Sequence, residues 1–213
     1  QRQMCIRDRG PEAEKAMTGI LGIECSDLEF YHFKKLPYHG EEIIVSRTGY
    51  TGEDGFEVYG SHRIIEECWD SLMDSGKVEP CGLGCRDTLR FEVVLPLYGN
   101  ELADDVSPLE AGLKIFVKLD KPEFIGKEAT LALLDKGVTR KIVGIELLDK
   151  AIPRHGYEIL NDNDEVVGHV TTGYHAISVD KSIALAMIDA SYSALGTPLK
   201  AVSYTHLTLP TTE

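Results

Sequence analysis

Basic residues are scarce and dispersed in this sequence: 22 Lys and Arg stand against 35 Asp and Glu, for a net charge of −13 at pH 7. Phosphate neutralisation needs a basic stripe, so the balance argues against unaided nucleic-acid binding, and against docking on an anionic membrane surface. No apolar run approaches the roughly 20 residues that a spanning helix needs. A signal-peptide pattern is also missing, and the five cysteines (Cys5, Cys25, Cys68, Cys81 and Cys85) are odd in number and irregularly spaced. That combination argues against a disulfide framework and points to reduced thiols in a cytoplasm. Cys81-x-x-x-Cys85 has no second Cys or His pair at ligand spacing, so no metal is expected. Neither Gly-Lys-Ser/Thr nor Gly-x-Ser-x-Gly occurs, which removes a Walker-type phosphate loop and an esterase nucleophile elbow. What is present is 213 residues with 43% hydrophobic content, enough for one large or two small packed domains.

The ends differ from the middle. QRQMCIRDR at residues 1–9 and VSYTHLTLPTTE at 202–213 lack helical periodicity and join their neighbours without a turn signal. Both resemble translated adapter sequence from transposase-based sequencing libraries. The expectation is therefore of a fragment, natural from about Gly10 to Ala201, with Cys5 and His206 outside functional consideration.

Between these ends the patterning alternates. Pro11–Leu21 reads as a short helix, Leu28–Phe33 and Glu42–Arg47 as strands, and Asp54-Gly55 as a hairpin turn leading into a strand over Phe56–Tyr59. Ser61 is a predicted N-cap for a helix whose stripe of Ile64, Ile65, Cys68, Trp69, Leu72 and Met73 runs to Gly76 and should bury against a sheet. A helix follows Gly84 and reaches Val93, with Asp87 and Arg90 at ion-pair spacing. Ser107-Pro108 begins a helix to Leu113, Ile115–Lys118 is strand-like, and Gly126–Lys136 is an amphipathic helix closed by Gly137. From Arg140 onward, short β-rich runs (Lys141–Leu148, Tyr157–Leu160, Glu165–Gly173, Ile183–Ile188) predict a small antiparallel barrel or sandwich. The fold class is α+β, with a boundary near Lys136–Arg140.

Two residues stand out chemically. Glu57 shares a strand face with Tyr59, opposite Phe56 and Val58, beside a hairpin; a carboxylate so held suits a planar ligand with adjacent N–H donors. The plainer use is a solvated strand face. Arg86 follows a Gly-Leu-Gly-Cys loop at a helix start, where it can meet a ligand carboxylate or an internal acid such as Asp87.

Three stretches carry a resemblance: Arg47-Thr-Gly-Tyr-Thr-Gly-Glu-Asp-Gly-Phe-Glu57; Cys81-Gly-Leu-Gly-Cys-Arg-Asp-Thr-Leu-Arg90 with Leu97-Tyr-Gly99; and Ser107-Pro-Leu-Glu-Ala-Gly-Leu113 with Phe124-Ile-Gly-Lys-Glu128. Together with Ile152-Pro-Arg-x-Gly and Gly168-x-Val-Thr-Thr-Gly173, they resemble the glycine cleavage T-protein family of aminomethyltransferases over essentially all of residues 10–201. The resemblance implies the C-terminal part of a folate-binding α/β domain over 10–137 and a truncated C-terminal β-barrel domain over 138–201. It also implies a tetrahydrofolate-dependent transfer of a one-carbon unit from an aminomethyl-lipoyl H-protein, with release of ammonia. Carried onto this sequence, the folate-binding positions are Tyr50, Glu57 and Arg86. The family's essential aspartate lies upstream of the part resembling Gly10-Pro11, so no catalytic residue is expected here and the fragment should turn over no substrate. Where many relatives have Trp after the Pro-x-Glu-Ala-Gly-Leu stretch, this chain reads Lys114-Ile115-Phe116. The competing readings are the folate-binding region of a dimethylglycine or sarcosine dehydrogenase, the iron–sulfur-assembly folate protein, and a noncatalytic folate-binding module.

Overall fold

A computed structural model describes residues 4–202; the remainder of the predicted adapter-like ends, 1–3 and 203–213, lies outside the described residues. The chain divides into two compact units between Leu95 and Pro96. That division precedes the change of texture at Lys136–Arg140, because residues 96–137, largely turns and short helices, cluster with the β-rich segment that follows them.

The first unit is built on a four-stranded antiparallel sheet, β1 (Met4–Arg9), β4 (Gly55–Gly60), β3 (Glu41–Ser46) and β2 (Phe33–Tyr38), in that spatial order. Period-two alternation sends Ile43, Val45, Phe56 and Val58 to one face, where α1 (Ala13–Gly19) and α2 (His62–Asp74) cover them with Ala16, Met17, Ile64, Ile65, Cys68 and Leu72. Ser61 caps α2 by accepting from the Ile64 N–H at 3.5 Å. Trp69 departs from expectation: it is 46% exposed, because the buried arc of α2 runs through Ile64, Ile65, Cys68 and Leu72 and leaves the indole at its margin.

Leu28–Phe33 is not a strand. Tyr31 adopts φ 65, and pairing begins only at Phe33, which faces Ser46 across the β2–β3 hairpin. Register is set by the two-residue turn His39-Gly40, where both residues have positive φ (47 and 84), the mirror-image turn that matches strand twist. Pro37 is accommodated because β2 lies at the sheet edge. The β3–β4 hairpin forms as expected, yet its positive φ is at Gly52 (φ +80) rather than at Gly55. Residues 4–9, set aside in sequence as foreign, supply β1, with Arg7 opposite Glu57. Ladder bonds use backbone groups that every sequence carries, so strand pairing is compatible with either origin.

The second unit carries a five-stranded antiparallel sheet in the order β5 (Arg140–Glu146), β8 (Lys181–Asp189), β7 (Val166–Ala176), β6 (Glu158–Leu160), β9 (Lys200–Val202). Its core is Ile159, Val167, Val170, Ala184, Ala186 and Ile188. A register shift between Val170 and Thr172 frees Thr171 from the ladder. The Asn100 amide donates to the Thr171 carbonyl at 3.1 Å, and the buried Glu101 carboxylate accepts from the Thr171 and Thr172 hydroxyls at 2.8 and 2.5 Å. These bonds tie the Leu97-Tyr98-Gly99-Asn100 turn to β7.

Two predicted elements upstream are shorter than expected. Ser107 and Glu110 make a reciprocal capping box, with the Glu110 carboxylate accepting from the Ser107 N–H at 2.8 Å and the Ser107 hydroxyl accepting from the Glu110 N–H at 3.3 Å. Only one turn follows before Gly112 at φ 75 ends it. Lys114–Phe116 is a 3-10 turn, with Ile115 and Phe116 exposed, rather than a strand. The helix at Lys127–Lys136, α4, forms as predicted and stops at Gly137.

Candidate functional site

Within the first unit a cavity of about 1030 Å³ opens between α1, the end of α2 and the start of α3 (Leu83–Glu92), and Tyr50, Trp69 and Arg86 line it. Tyr50 lies in the loop joining β3 to β4. Arg47 and Asp54 at the two ends of that loop form a bidentate pair, with Arg47 Nε to Asp54 Oδ1 at 3.0 Å and Nη2 to Oδ2 at 2.6 Å. Arg47 also reaches Glu14 at 3.0 Å and the Leu28 carbonyl at 3.1 Å. The loop lies against the end of α3: a Cβ on Gly52 would stand 2.4 Å from Val93 Cγ1.

That contact brings the two predicted positions together. The Arg86 guanidinium carbon is 4.7 Å from the Tyr50 ring centroid, a cation–π contact worth about 0.5–1 kcal/mol near the surface. The internal salt bridge weighed for Arg86 does not form with Asp87, which bonds Arg90 Nε at 2.7 Å instead. Thr51, beside Tyr50, also lines the cavity, and its buried hydroxyl makes no hydrogen bond.

Glu57 is not itself among the cavity's lining residues, but Arg7 and Arg9, which pair with its carboxylate, are. Its Oε1 is 2.5 Å from Arg9 Nη2 and 3.3 Å from Arg7 Nε, and its Oε2 accepts from the Tyr59 hydroxyl. Burial pushes its carboxyl up, but the Tyr59 hydroxyl and the two guanidiniums outweigh that and hold it below the usual range. In this chain the carboxylate is occupied by guanidinium N–H donors of Arg7 and Arg9, from the segment read in sequence as foreign, rather than by a ligand's. The Arg47–Asp54 clamp and the Arg9–Glu57 pair escaped sequence reading; only the placement of Arg47 and Asp54 at opposite ends of the loop hinted at the first.

Arg47 holds the Asp54 carboxyl below its ordinary value of 3.8, with the Gly55 N–H adding to it. As pH falls the unfolded chain takes up that proton first, so the clamp's stabilisation is present above the ordinary value and is lost as pH falls through the lowered folded value. The urea midpoint of the first unit should hold from about pH 7 to 5 and drop below about pH 4. Asp54→Asn should flatten part of that drop; an unchanged profile would show that the clamp contributes nothing.

Among the described residues no three His, Cys, Asp or Glu side chains cluster as metal ligands, and no helix is long and apolar enough to cross a membrane.

Comparison with known proteins shows the family. Residues 2–121 match the GCVT N-terminal domain, and residues 140–205 match the glycine cleavage T-protein C-terminal barrel domain. The chain belongs to the glycine cleavage T-protein family. An aminomethyltransferase of Thermoanaerobacter pseudethanolicus is 48% identical over 198 residues, covering 91% of this chain and 54% of that protein. One from Clostridium botulinum is 48% identical over 194 residues, covering 89% and 52%. The crystal structure of the glycine cleavage system aminomethyltransferase T from Bartonella henselae superposes with a TM-score of 0.87 at 28% identity, covering 96% of this chain and 56% of that one. The chain thus spans about half the length of the curated relatives it matches. Along the chain the match to the GCVT N-terminal domain precedes the match to the barrel domain, and the first unit is an antiparallel sheet with helices on one face.

Proposed function

We propose that the protein from which this chain comes is a tetrahydrofolate-dependent aminomethyltransferase, accepting an aminomethyl group from a lipoylated H-protein and releasing ammonia. The observation that carries this reading is the order of two T-protein domains along one chain at 48% identity to aminomethyltransferases. The geometry is compatible: Tyr50 and Arg86 offer an aromatic face and a fixed cation at one cavity, which suits a flat heterocycle bearing a carboxylate tail. Residues 10–137 are read as folate-binding domain, 138–201 as barrel, and 1–9 and 202–213 as foreign. Tetrahydrofolate is a co-substrate in this reading, and the cytoplasm is its place of action.

Glu57 fits the same ligand less well in this chain. A pterin's N–H groups would have to displace Arg9, whose bond to the carboxylate is short and largely shielded from water. The chain is therefore expected to bind folate weakly through Tyr50 and Arg86 and to turn over nothing. Trp69, the sole tryptophan, lines the cavity and reports on it. Titration with tetrahydrofolate under argon should quench its emission, and Tyr50→Ala with Arg86→Met should weaken binding about tenfold or more, the equivalent of at least 1.4 kcal/mol. Equal affinity in the double variant would remove the site. Folate-dependent ammonia release from aminomethyl-loaded H-protein by the 213-residue chain would overturn the expectation of inactivity.

A further inference from the structure

Cys81 and Cys85 bracket the start of α3. Cys81 precedes the extended Gly82 N-cap and Cys85 stands in the first turn, so the two cysteines lie four residues apart across the helix start. Both thiols are free and exposed, and both line the cavity that holds Tyr50, Trp69 and Arg86. They also interact: the Cys85 thiol is the foremost influence holding the Cys81 thiol above its ordinary range, ahead of burial. No heavy atom lies within 4 Å of where a Cβ would stand on Gly82 or Gly84. The glycines that separate the cysteines are therefore unpacked, and a disulfide here needs a Cβ separation of roughly 3.5–4.5 Å. By contrast, Cys25 and Cys68 are fully buried in the core, out of reach of an oxidant in solvent.

We propose that Cys81 and Cys85 form a reversible dithiol–disulfide pair, oxidised by a hydroperoxide, that resets the first turn of α3 beside Arg86. One sulfur attacks the peroxide, taking one oxygen as a sulfenic acid while the other leaves as water when the oxidant is hydrogen peroxide, or as the alcohol from an organic hydroperoxide. The second thiol then attacks the sulfenic sulfur, forming the S–S bond and expelling the sulfenic oxygen as water. The two thiols together lose two electrons and two protons to the peroxide. Arg86 is the next residue after Cys85, and the contact that holds its guanidinium at the cavity is with the Tyr50 ring. Drawing Cys85 toward Cys81 shifts that guanidinium, so the oxidised chain presents a different cavity mouth. A dithiol reductant reverses the step by exchange.

The test is to treat the purified chain with hydrogen peroxide, block remaining thiols with iodoacetamide and digest with trypsin. Residues 78–86 emerge as one peptide containing both cysteines. The expected product is that peptide unalkylated and lighter by two hydrogens, returning to the doubly alkylated form after dithiothreitol. Cys81→Ser and Cys85→Ser should each lose the cross-link, and the shift in Trp69 emission expected on oxidising the parent chain should be absent in both. Recovery of the peptide doubly alkylated after peroxide, conversion of both sulfurs to sulfinic acids without cross-linking, or a bond from either one to Cys5 would overturn the proposal. The mapping is made on the unaltered chain, so a variant that fails to fold does not affect it.

Discussion

Gly173→Ala should destabilise the second unit by about 3 kcal/mol, the upper end of the usual cost of overpacking and a large share of a domain's marginal stability. Gly173 sits in β7, and a Cβ there would stand 2.1 Å from the Pro153 carbonyl oxygen and 3.0 Å from its carbon. Both are backbone atoms, so relief requires moving a strand or the 151–156 segment rather than rotating a side chain. Gly168, earlier in β7, is blocked the same way, with Met187 O at 2.2 Å, and the two sites bracket the bulge at Thr171. Gly144 in β5 provides the control: nothing lies within 4 Å of its Cβ position. Gly144→Ala should be neutral or stabilise by up to about 0.5–1 kcal/mol, through the lower entropy of the unfolded chain. Urea unfolding monitored by circular dichroism compares the three. Similar midpoints for Gly173→Ala and Gly144→Ala would show that the close approach to Pro153 is not part of the folded state.

Arg90→Ala should cost the first unit about 3–5 kcal/mol, the range seen when one member of a buried ion pair is deleted. The Arg90 side chain is wholly buried beside Phe91 at the end of α3, bonded to Asp87 at 2.7 Å and to the Leu95 carbonyl at 3.3 Å. Removing it leaves a void, a carboxylate without this cation and a carbonyl without this donor. Replacing the pair together, Arg90→Met with Asp87→Leu, should recover part of the loss, since an apolar pair of similar volume avoids the desolvation of two charges. A cost below about 1 kcal/mol for Arg90→Ala would place the guanidinium in solvent rather than in the core. Because α3 also carries Arg86, the single variant should lose the Trp69 response to folate at denaturant concentrations that leave the parent chain folded.

The parts of the fold legible in sequence were those specified locally. Ser61 followed by apolar residues at helical spacing defines α2, and Gly126 with Gly137 brackets α4. The alternation in Phe56–Tyr59 assigns Glu57 to the non-core face because period two leaves no other choice. Where local and non-local information compete, the non-local contacts decide the structure. Leu28–Phe33 has the composition of a strand, yet the His39-Gly40 turn sets the register and begins pairing only at Phe33. Ser107-Pro108 has the start signals of a helix, which Gly112 then cuts to one turn. Of the site, Tyr50 and Arg86 were legible as members of separate motifs, whereas their contact depends on a loop packing against α3. The partners of Glu57 come from cross-strand register with β1, which no spacing in the sequence reveals.

The outer position of β2 has a consequence for the molecule in solution. A terminal strand offers unpaired backbone groups to any extended segment that comes near, and the usual outcome of leaving it flat and apolar is strand addition between molecules. Here Pro37 removes one donor from that rim, and Lys34 and Lys35 add cationic side chains engaged with Asp27 and Glu42. The sheet edge is thereby made a poor template for a second copy, and protection against fibrillar self-association is built into the same strand that completes the fold.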